Sequence, residues 1–309
     1  MLGEVRDEIK GQEFHSLEEA QDFLNRLMEE KNRGPQSRFL GLSPEQMHRI
    51  LYQPLEATMD IVEFNHALAS AAFWDIQVVK NCRMFLSRLG ELEPLKTTAK
   101  GNLPLNFARE LYEEFVDPTP GYGMRIRSEE DAISVLSLRH ILRMCGWIKK
   151  EKKHFKLTAK GRKILSDGFL PDHFFTLFKT FTRKFNWPFQ DRYPDLWIIQ
   201  GGFLFSLYLL RVKACDFVEA ETLGDCFVDA FPMMITEAQV IPGEDPVETV
   251  GRCFSLRFLE RFCEYFGFLD VVRKKKVPYG QRLFVKTSDF FKNYFAWKTP
   301  QYIQTARHC

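Results

Sequence analysis

Two Glu-x-x-His sequences are the residues of this chain whose spacing could hold a metal ion. They are Glu45 with His48, and Glu63 with His66. On paired helices this spacing supplies ligands to carboxylate-bridged di-iron sites. Such a site needs four long helices and two further glutamates, whereas Pro54 interrupts this region. The same spacing recurs by chance at Glu151 and His154, so we predict no metal and no cofactor.

Other sequence signatures of catalysis are absent. The chain contains no P-loop, no G-x-S-x-G nucleophile motif and no H-E-x-x-H zinc motif. Cys253 and Cys263 lie too far apart for a zinc knuckle and have no histidine between them. The sequence therefore predicts a protein that is not an enzyme, and a metal-dependent enzyme using the Glu-x-x-His residues is the remote alternative.

Basic residues are concentrated in one segment of a chain that is almost neutral overall. The formal net charge of the 309 residues is +2. Residues 139–163 hold ten lysines and arginines against one acid, Glu151, which gives this segment a charge of +9. Residues 214–251 hold nine acids and no lysine or arginine. Such segregation creates a local field even when the whole protein is near neutrality.

The basic segment has the spacing expected of a nucleic-acid-binding surface. Arg139 and Arg143 lie one helical turn apart on the polar face of a predicted helix, where a helix-turn-helix protein reads the DNA groove. The lysines that follow lie in a predicted hairpin and are suited to phosphate contacts. The candidate nucleic-acid-binding residues are Arg139, His140, Arg143, Lys149, Lys150, Lys152, Lys153 and Lys156. A solvated turn protected by lysines is the structural alternative.

Two units of similar pattern position the charged residues. In the first, Ser128 caps a helix that ends at Gly146, and a strand, a basic turn, a second strand and a further helix follow. In the second, a helix ends at Gly267 and is followed by a strand, a basic turn and a return strand. Helix, hairpin and helix form the core of a winged helix, so the sequence predicts an internal duplication. The sequence TAKG occurs at both 98–101 and 158–161 and indicates a further junction between hairpin and helix.

The second unit is the weaker candidate for nucleic-acid binding. Its helix carries Arg257 and Arg261, but Glu260 and Glu264 share their surface and would repel a phosphate backbone. A Ser-Leu-Arg sequence occurs in the helices of both units at different distances from the closing glycine, so we interpret it as coincidence.

The predicted fold class is mainly α with short β-hairpins, in which tandem winged-helix-like units are joined by helical segments. Hydrophobic residues make up 45% of the chain and include 30 phenylalanines, which have no polar tip and pack between helices. The predicted domains are an N-terminal helical region at 1–116 with a hairpin near 92–101, a first winged-helix-like unit at 117–170, a helical middle region at 171–246 and a second winged-helix-like unit at 247–309.

Cysteine usage and hydropathy favour a cytoplasmic location. The seven cysteines form no CxxC pair, which is typical of reduced and mostly buried thiols. The N-terminus has no basic segment followed by an apolar one, so we expect no signal peptide. The longest apolar run, 196–210, has fifteen residues, whereas a membrane span needs ~18 or more. We predict a buried core helix there, no membrane partner, and packing roles for Trp147, Trp197 and Trp297.

Two stretches in the first half of the chain have a familiar pattern. They are FLGLSPEQMHRILYQPL at 39–55 and EPLKTTAKGNLP at 93–104, and SLRHILRMCGWIKKEKKHFKLTAKGRKIL fits the same pattern. Together, over residues 36–168, they resemble poorly characterised bacterial and archaeal proteins, some of which carry plasmid pRiA4b ORF-3-like or SEC-C-type domains. The resemblance implies a cytoplasmic protein with winged-helix elements and no established activity. The cysteine-rich SEC-C ending is missing here, so no metal-binding role carries over.

Two functions follow from these patterns. The first is a DNA-binding or regulatory protein that acts through the first winged-helix-like unit. The alternative is a protein–protein scaffold, in which the acidic 214–251 region meets the basic hairpin of a protein partner or of another copy of the chain.

Overall fold

The computed structural model of the chain describes residues 8, 12, 14–56, 60–115, 125–238, 243–275 and 281–298. These residues are mainly helical with a few short antiparallel strands, which confirms the predicted mainly α class. None of the helices described combines the length and the apolar composition that crossing a membrane requires. Contacts divide the chain into two compact units, Met1–Val62 with Trp297–Cys309, and Glu63–Ala296.

Two α-helices among the described residues of the smaller unit begin directly after a serine that caps them. Helix α1, Leu17–Arg33, begins after Ser16, whose hydroxyl accepts the backbone N–H three residues later at 3.0 Å. Helix α2, Pro44–Tyr52, begins after Ser43, which forms a reciprocal capping box with Gln46.

The remaining helices and the strands follow in chain order. The helices are α3 (Gln77–Leu92), α4 (Leu105–Glu114), α5 (Ile133–Met144), α6 (Ala159–Asp167), α7 (Pro171–Arg183), α8 (Trp197–Gly201), α9 (Phe203–Lys213), α10 (Ala220–Ala230), α11 (Met233–Ala238), α12 (Pro246–Phe254) and α13 (Asp289–Tyr294). The strands are β1 (Val62–Phe64), β2 (Leu95–Lys96), β3 (Ile148–Glu151), β4 (His154–Leu157), β5 (Val218–Glu219), β6 (Leu269–Lys275), β7 (Gln281–Thr287) and β8 (Phe295–Trp297). Helix α12 continues directly as a π-helix, Ser255–Glu264.

The first three-stranded sheet has the order β2-β4-β3. Strands β3 and β4 form an antiparallel hairpin in which Ile148 lies opposite Leu157 and Glu151 lies opposite His154. Strand β2 pairs with β4, so the 92–101 segment contributes one strand to a distant partner rather than a hairpin of its own. Helix α3 packs on α6 and β4, and α5 packs on α7.

The second sheet repeats this strand order as β5-β7-β6. Its hairpin is longer and runs from Leu269 opposite Thr287 to Lys275 opposite Gln281. In both sheets, a short strand that precedes a group of helices pairs with the return strand of the following hairpin. The closing helix is shorter than its sequence suggests, because α13 ends at Tyr294 and the chain continues as β8, which pairs with β1.

Phenylalanine side chains form much of the core of the larger unit. Phe174 and Phe178 of α7 lie edge-on to Phe268, with ring centroids 6.2 and 6.1 Å apart. The apolar run at 196–210 folds as α8 and α9, and its side chains in α9 are buried, as predicted. The run is divided at Gly202, where a Cβ would lie 2.8 Å from the Ile198 carbonyl oxygen.

Candidate nucleic-acid interface

Helix α5 carries the residues that the sequence assigns to DNA reading, but the fold encloses this helix. It packs against α4, α7 and β3. Between Ile133 and Met144, only Arg143 and Met144 are exposed, both at the C-terminal end. A recognition helix needs an open polar face to enter the major groove. The predicted groove-reading face is therefore wrong, because neighbouring elements cover α5 on nearly all sides.

Arg139 is a buried structural cation. Its Nε lies 2.5 Å from Oε1 of Glu129, and the two side chains are 6% and 0% exposed. The guanidinium also lies 5.2 Å from the ring centroid of Phe155, and Glu129 accepts the Leu103 backbone N–H at 2.8 Å. The assignment of Arg139 to nucleic acid is corrected by these contacts, because they hold the side chain inside the fold.

His140 contributes no positive charge at neutral pH. Burial, with a further contribution from the charges of Arg139 and Arg143, lowers the pKa of His140 from 6.5 to about 4. Its ring lies edge-on to Phe189, with centroids 5.6 Å apart. A neutral imidazole adds no electrostatic attraction for phosphate, so His140 is not part of a basic surface.

We expect His140 to titrate near pH 4 in an NMR experiment on its ring signals. The unfolded chain binds this proton more tightly than the folded chain, so the contribution of His140 to stability is complete above pH 6.5 and is lost as the pH falls towards 4. A His140→Gln variant should lose both the signal and this part of the pH dependence. A titration midpoint at or above pH 6.5 would contradict the buried environment.

The β3–β4 hairpin divides its lysines between two faces. Lys149 lies opposite Lys156, and both Nζ atoms lie 3.2 Å from the Glu151 carboxylate. Lys150 lies opposite the buried ring of Phe155, on the other face. Lys149 and Lys156 are therefore partly neutralised, and the predicted lysines do not form a single stripe.

The tip of this hairpin is a turn of two lysines that contacts an earlier segment of the chain. Lys152 and Lys153 form the turn, in which Lys152 has a φ of +53°. The Lys153 carbonyl accepts the Thr97 backbone N–H at 2.8 Å, and the Lys150 ammonium donates to the Gly101 carbonyl at 3.1 Å. The turn between Thr97 and Gly101 therefore lies beside the hairpin tip.

This contact adds a lysine that the sequence reasoning missed. Lys100 is exposed and directly precedes Gly101, which has a φ of +87° and where a Cβ would lie 2.3 Å from the Lys150 Nζ. We name Lys100, Lys150, Lys152 and Lys153 the lysine cluster. All four are exposed, and none forms an ion pair with any residue that the structure describes. The repeated TAKG sequence marked this turn, but its distance along the chain gave no sign that it meets the hairpin.

Arg257, in the π-helix that precedes the second hairpin, is also buried. It binds Asp191 through Nε at 3.0 Å and Nη2 at 2.7 Å, and donates to the carbonyl oxygens of Asp195 and Pro194 at 2.6 and 2.9 Å. Arg261 reaches the same Asp191 at 3.1 Å. The surface position predicted for Arg257 is therefore wrong, because its buried side chain holds the 191–195 loop through these hydrogen bonds.

Two arginines of the long second hairpin are neutralised by acidic side chains. Glu260 and Glu264 bind Arg273 of β6 at 3.4 and 2.6 Å, and Arg282 of β7 binds Glu219. Their charges are thus used within the protein. Lys274 and Lys275 of the same hairpin are exposed, and neither forms an ion pair with a residue that the structure describes.

Within the described parts of the chain, no three histidine, cysteine, aspartate or glutamate side chains group in a way that could hold a metal ion. Glu45 lies 3.7 Å from Arg33. His66 lies 3.7 Å from Asp172 and edge-on to Phe175. The geometry gives the metal-dependent alternative no support.

Two of the tryptophans occupy contrasting positions. Trp147 is 2% exposed and packs edge-on against Phe169, as predicted. Trp197 is 50% exposed, so its predicted packing role is wrong. Its apolar neighbours in the sequence gave no sign that the ring faces solvent.

No family model, curated protein or solved structure matches this chain. The resemblance of residues 36–168 to bacterial and archaeal proteins therefore stays a prediction.

Proposed function

We propose that the protein binds the phosphate backbone of duplex nucleic acid through the lysine cluster of a winged-helix unit. The strand order β2-β4-β3, with α3 before β2 and with α4 and α5 before the hairpin, supports the winged-helix assignment. The sheet β5-β7-β6 supports a second unit of the same kind. In this proposal the hairpin, rather than α5, meets the ligand.

The observation that carries the proposal is the meeting of four exposed lysines from two chain segments with no acidic partner described. Lysine ammonium groups contact phosphates as point charges and read no base sequence. Helix α5, which occupies the usual position of a recognition helix, is enclosed. We therefore expect binding that depends on salt and is independent of sequence.

Removal of two charges from the hairpin tip tests this proposal. We expect the double variant Lys152→Gln with Lys153→Gln to bind duplex DNA more weakly, for all sequences alike. The slope of log K against log salt concentration should become less steep by about 2. Fluorescence anisotropy with labelled random-sequence DNA measures both effects.

The matched control is Lys149→Gln with Lys156→Gln, which removes the same charge from the face that Glu151 neutralises. This control should leave the salt dependence close to that of the unaltered protein. Equal losses in the two double variants would show that net charge alone matters, and would contradict a site at the hairpin tip.

A protein–protein scaffold is the second candidate. It is favoured by the burial of most residues of α5 in the first winged-helix-like unit and of half of those of the π-helix in the second. Because these residues are buried, a protein partner would contact the exposed residues around them. Light scattering over a range of salt concentrations tests self-association. A monomer under all conditions would exclude pairing of the acidic 214–251 region with a basic hairpin of another copy.

A cytoplasmic location is also our proposal. The six cysteines of the described residues form no disulfide, and four of them are buried. Burial raises the pKa of Cys145 and of Cys253 to about 12, so these thiols stay protonated and unreactive. Such thiols are compatible with a reducing compartment.

A further inference from the structure

A cavity of about 320 Å³ lies between the C-terminal end of α7 and the start of α8. Its lining includes Arg183, Asn186, Asp195 and Trp197. Ligand pockets range from ~300 to ~1,000 Å³, so this cavity is at the small end of that range and suits a small ligand.

The fold holds Trp197 at this cavity with its ring half exposed. Arg257 fixes the carbonyl oxygens just before it, and Leu196, which is buried, has left-handed backbone angles of φ 43° and ψ 51°. A branched residue adopts such angles only at an energetic cost, and such strain concentrates at functional sites. The six-membered ring lies close to Gly201, where a Cβ would come within 2.8 Å of it. The half-exposed indole is therefore held beside Gly201, on backbone that Arg257 fixes.

Some polar groups of the cavity are hydrogen-bonded within the protein, and others are exposed to a ligand. Gln200 is structural, because its side chain binds the Trp187 backbone N–H and the carbonyl oxygens of Thr182 and Phe185. Arg183 and Asp195 are exposed; Arg183 forms no ion pair within the part of the chain that the structure describes, whereas the Asp195 carboxylate interacts electrostatically with Arg257, which also lines the cavity. The cavity thus offers an aromatic face, a cation and a carboxylate.

We propose that this cavity binds a nucleotide. The base stacks on Trp197, because every base presents a π-face to an aromatic side chain. The phosphate pairs with Arg183, whose guanidinium matches its geometry. Asn186 and Asp195 supply donor and acceptor groups for the edge of the base. A free mononucleotide and the end of a single strand share this chemistry.

Calorimetric titration with the four nucleoside monophosphates, and with adenosine, tests this proposal. We expect Trp197→Ala to weaken AMP binding ~5-fold or more, since stacking on an aromatic side chain contributes about 1–3 kcal/mol per base. Trp197→Phe should restore part of the affinity. Trp74→Ala is the matched control, because Trp74 is 54% exposed, lies outside the cavity and should leave binding unchanged.

Two further variants separate the roles of the residues. Arg183→Gln should weaken AMP binding and leave adenosine binding unchanged, because only AMP carries a phosphate. Gly201→Ala should weaken both ligands by displacing the indole. A single strand of about eight nucleotides that binds more tightly than AMP would identify strand ends as the source; equal affinity would identify free nucleotides.

Absence of binding by every nucleotide and by the single strand would overturn the proposal, as would equal losses in Trp197→Ala and Trp74→Ala. The nucleotide site does not depend on the lysine cluster. Its failure would leave duplex binding, and the effect of the hairpin-tip variant, unchanged. The two proposals therefore fail separately.

Discussion

Replacement of Arg257 by methionine is expected to destabilise the protein by about 3 kcal/mol. Removal of one partner from a buried ion pair costs roughly 3–5 kcal/mol, because the other charge stays buried without compensation. Here Asp191 is 5% exposed, and Arg261 remains 3.1 Å from it, which places the loss at the lower end of this range. Carbonyl oxygens of the 193–195 loop also lose their donor.

Chemical denaturation measures this effect, with Arg252→Met as the matched control. Arg252 lies on the preceding turns of the same helix and pairs with Glu244 at the surface, where its side chain is 47% exposed. Loss of such a pair costs about 0–1 kcal/mol. Equal midpoints for the two variants would contradict the structural role of Arg257.

Replacement of Arg139 by methionine is expected to destabilise the protein by roughly 3–5 kcal/mol while the folded protein keeps its affinity for duplex DNA. Glu129 would remain with 0% exposure and without its cation. The prediction separates a structural arginine from a groove-reading one, because loss of a base contact lowers affinity and changes sequence preference without unfolding the protein.

The control is Arg143→Met, one turn further along α5, at an exposed position where substitutions usually change stability by less than about 0.5 kcal/mol. Denaturation midpoints and DNA anisotropy, both measured at a temperature where each variant is folded, give the two readouts. A stable Arg139→Met protein with weakened DNA binding would restore the groove-reading interpretation.

The local elements of this fold could be predicted from sequence because their signals are local. Ser16 and Ser43 each accept a backbone N–H in the first turn of the helix that follows them. Gly146 has a φ of +73° and Gly267 a φ of +71°, conformations that favour glycine after a helix. The β3–β4 hairpin follows from its apolar and basic residues. Each of these features depends on a few neighbouring residues and can therefore be predicted from a single segment of the sequence.

The candidate site depends on contacts that no single segment contains. Arg139 reads as surface on a helical projection, yet Glu129 and Phe155 bury it. Lys100 joins Lys150 only because β2 pairs with β4. The charge pattern of the sequence therefore places Arg139 on the basic surface, although it is buried, and omits Lys100, which belongs to that surface.

The shared Ser-Leu-Arg sequence shows the same limit. Arg139 precedes Gly146 by seven residues and Arg257 precedes Gly267 by ten, so the two did not align. Yet both arginines are buried and bind a carboxylate. The second helix is π-helical at this point, with wider turns that change how sequence spacing maps onto its faces.

The central claim is that the lysine cluster binds the phosphate backbone, and the salt dependence of duplex DNA binding tests it most directly. Anisotropy with random-sequence DNA between ~50 and ~200 mM salt gives the slope of log K against log salt. Four lysines that each neutralise one phosphate predict a slope of about −3.6, and the same affinity for unrelated sequences. No binding at ~50 mM salt, or a slope near zero, would contradict it.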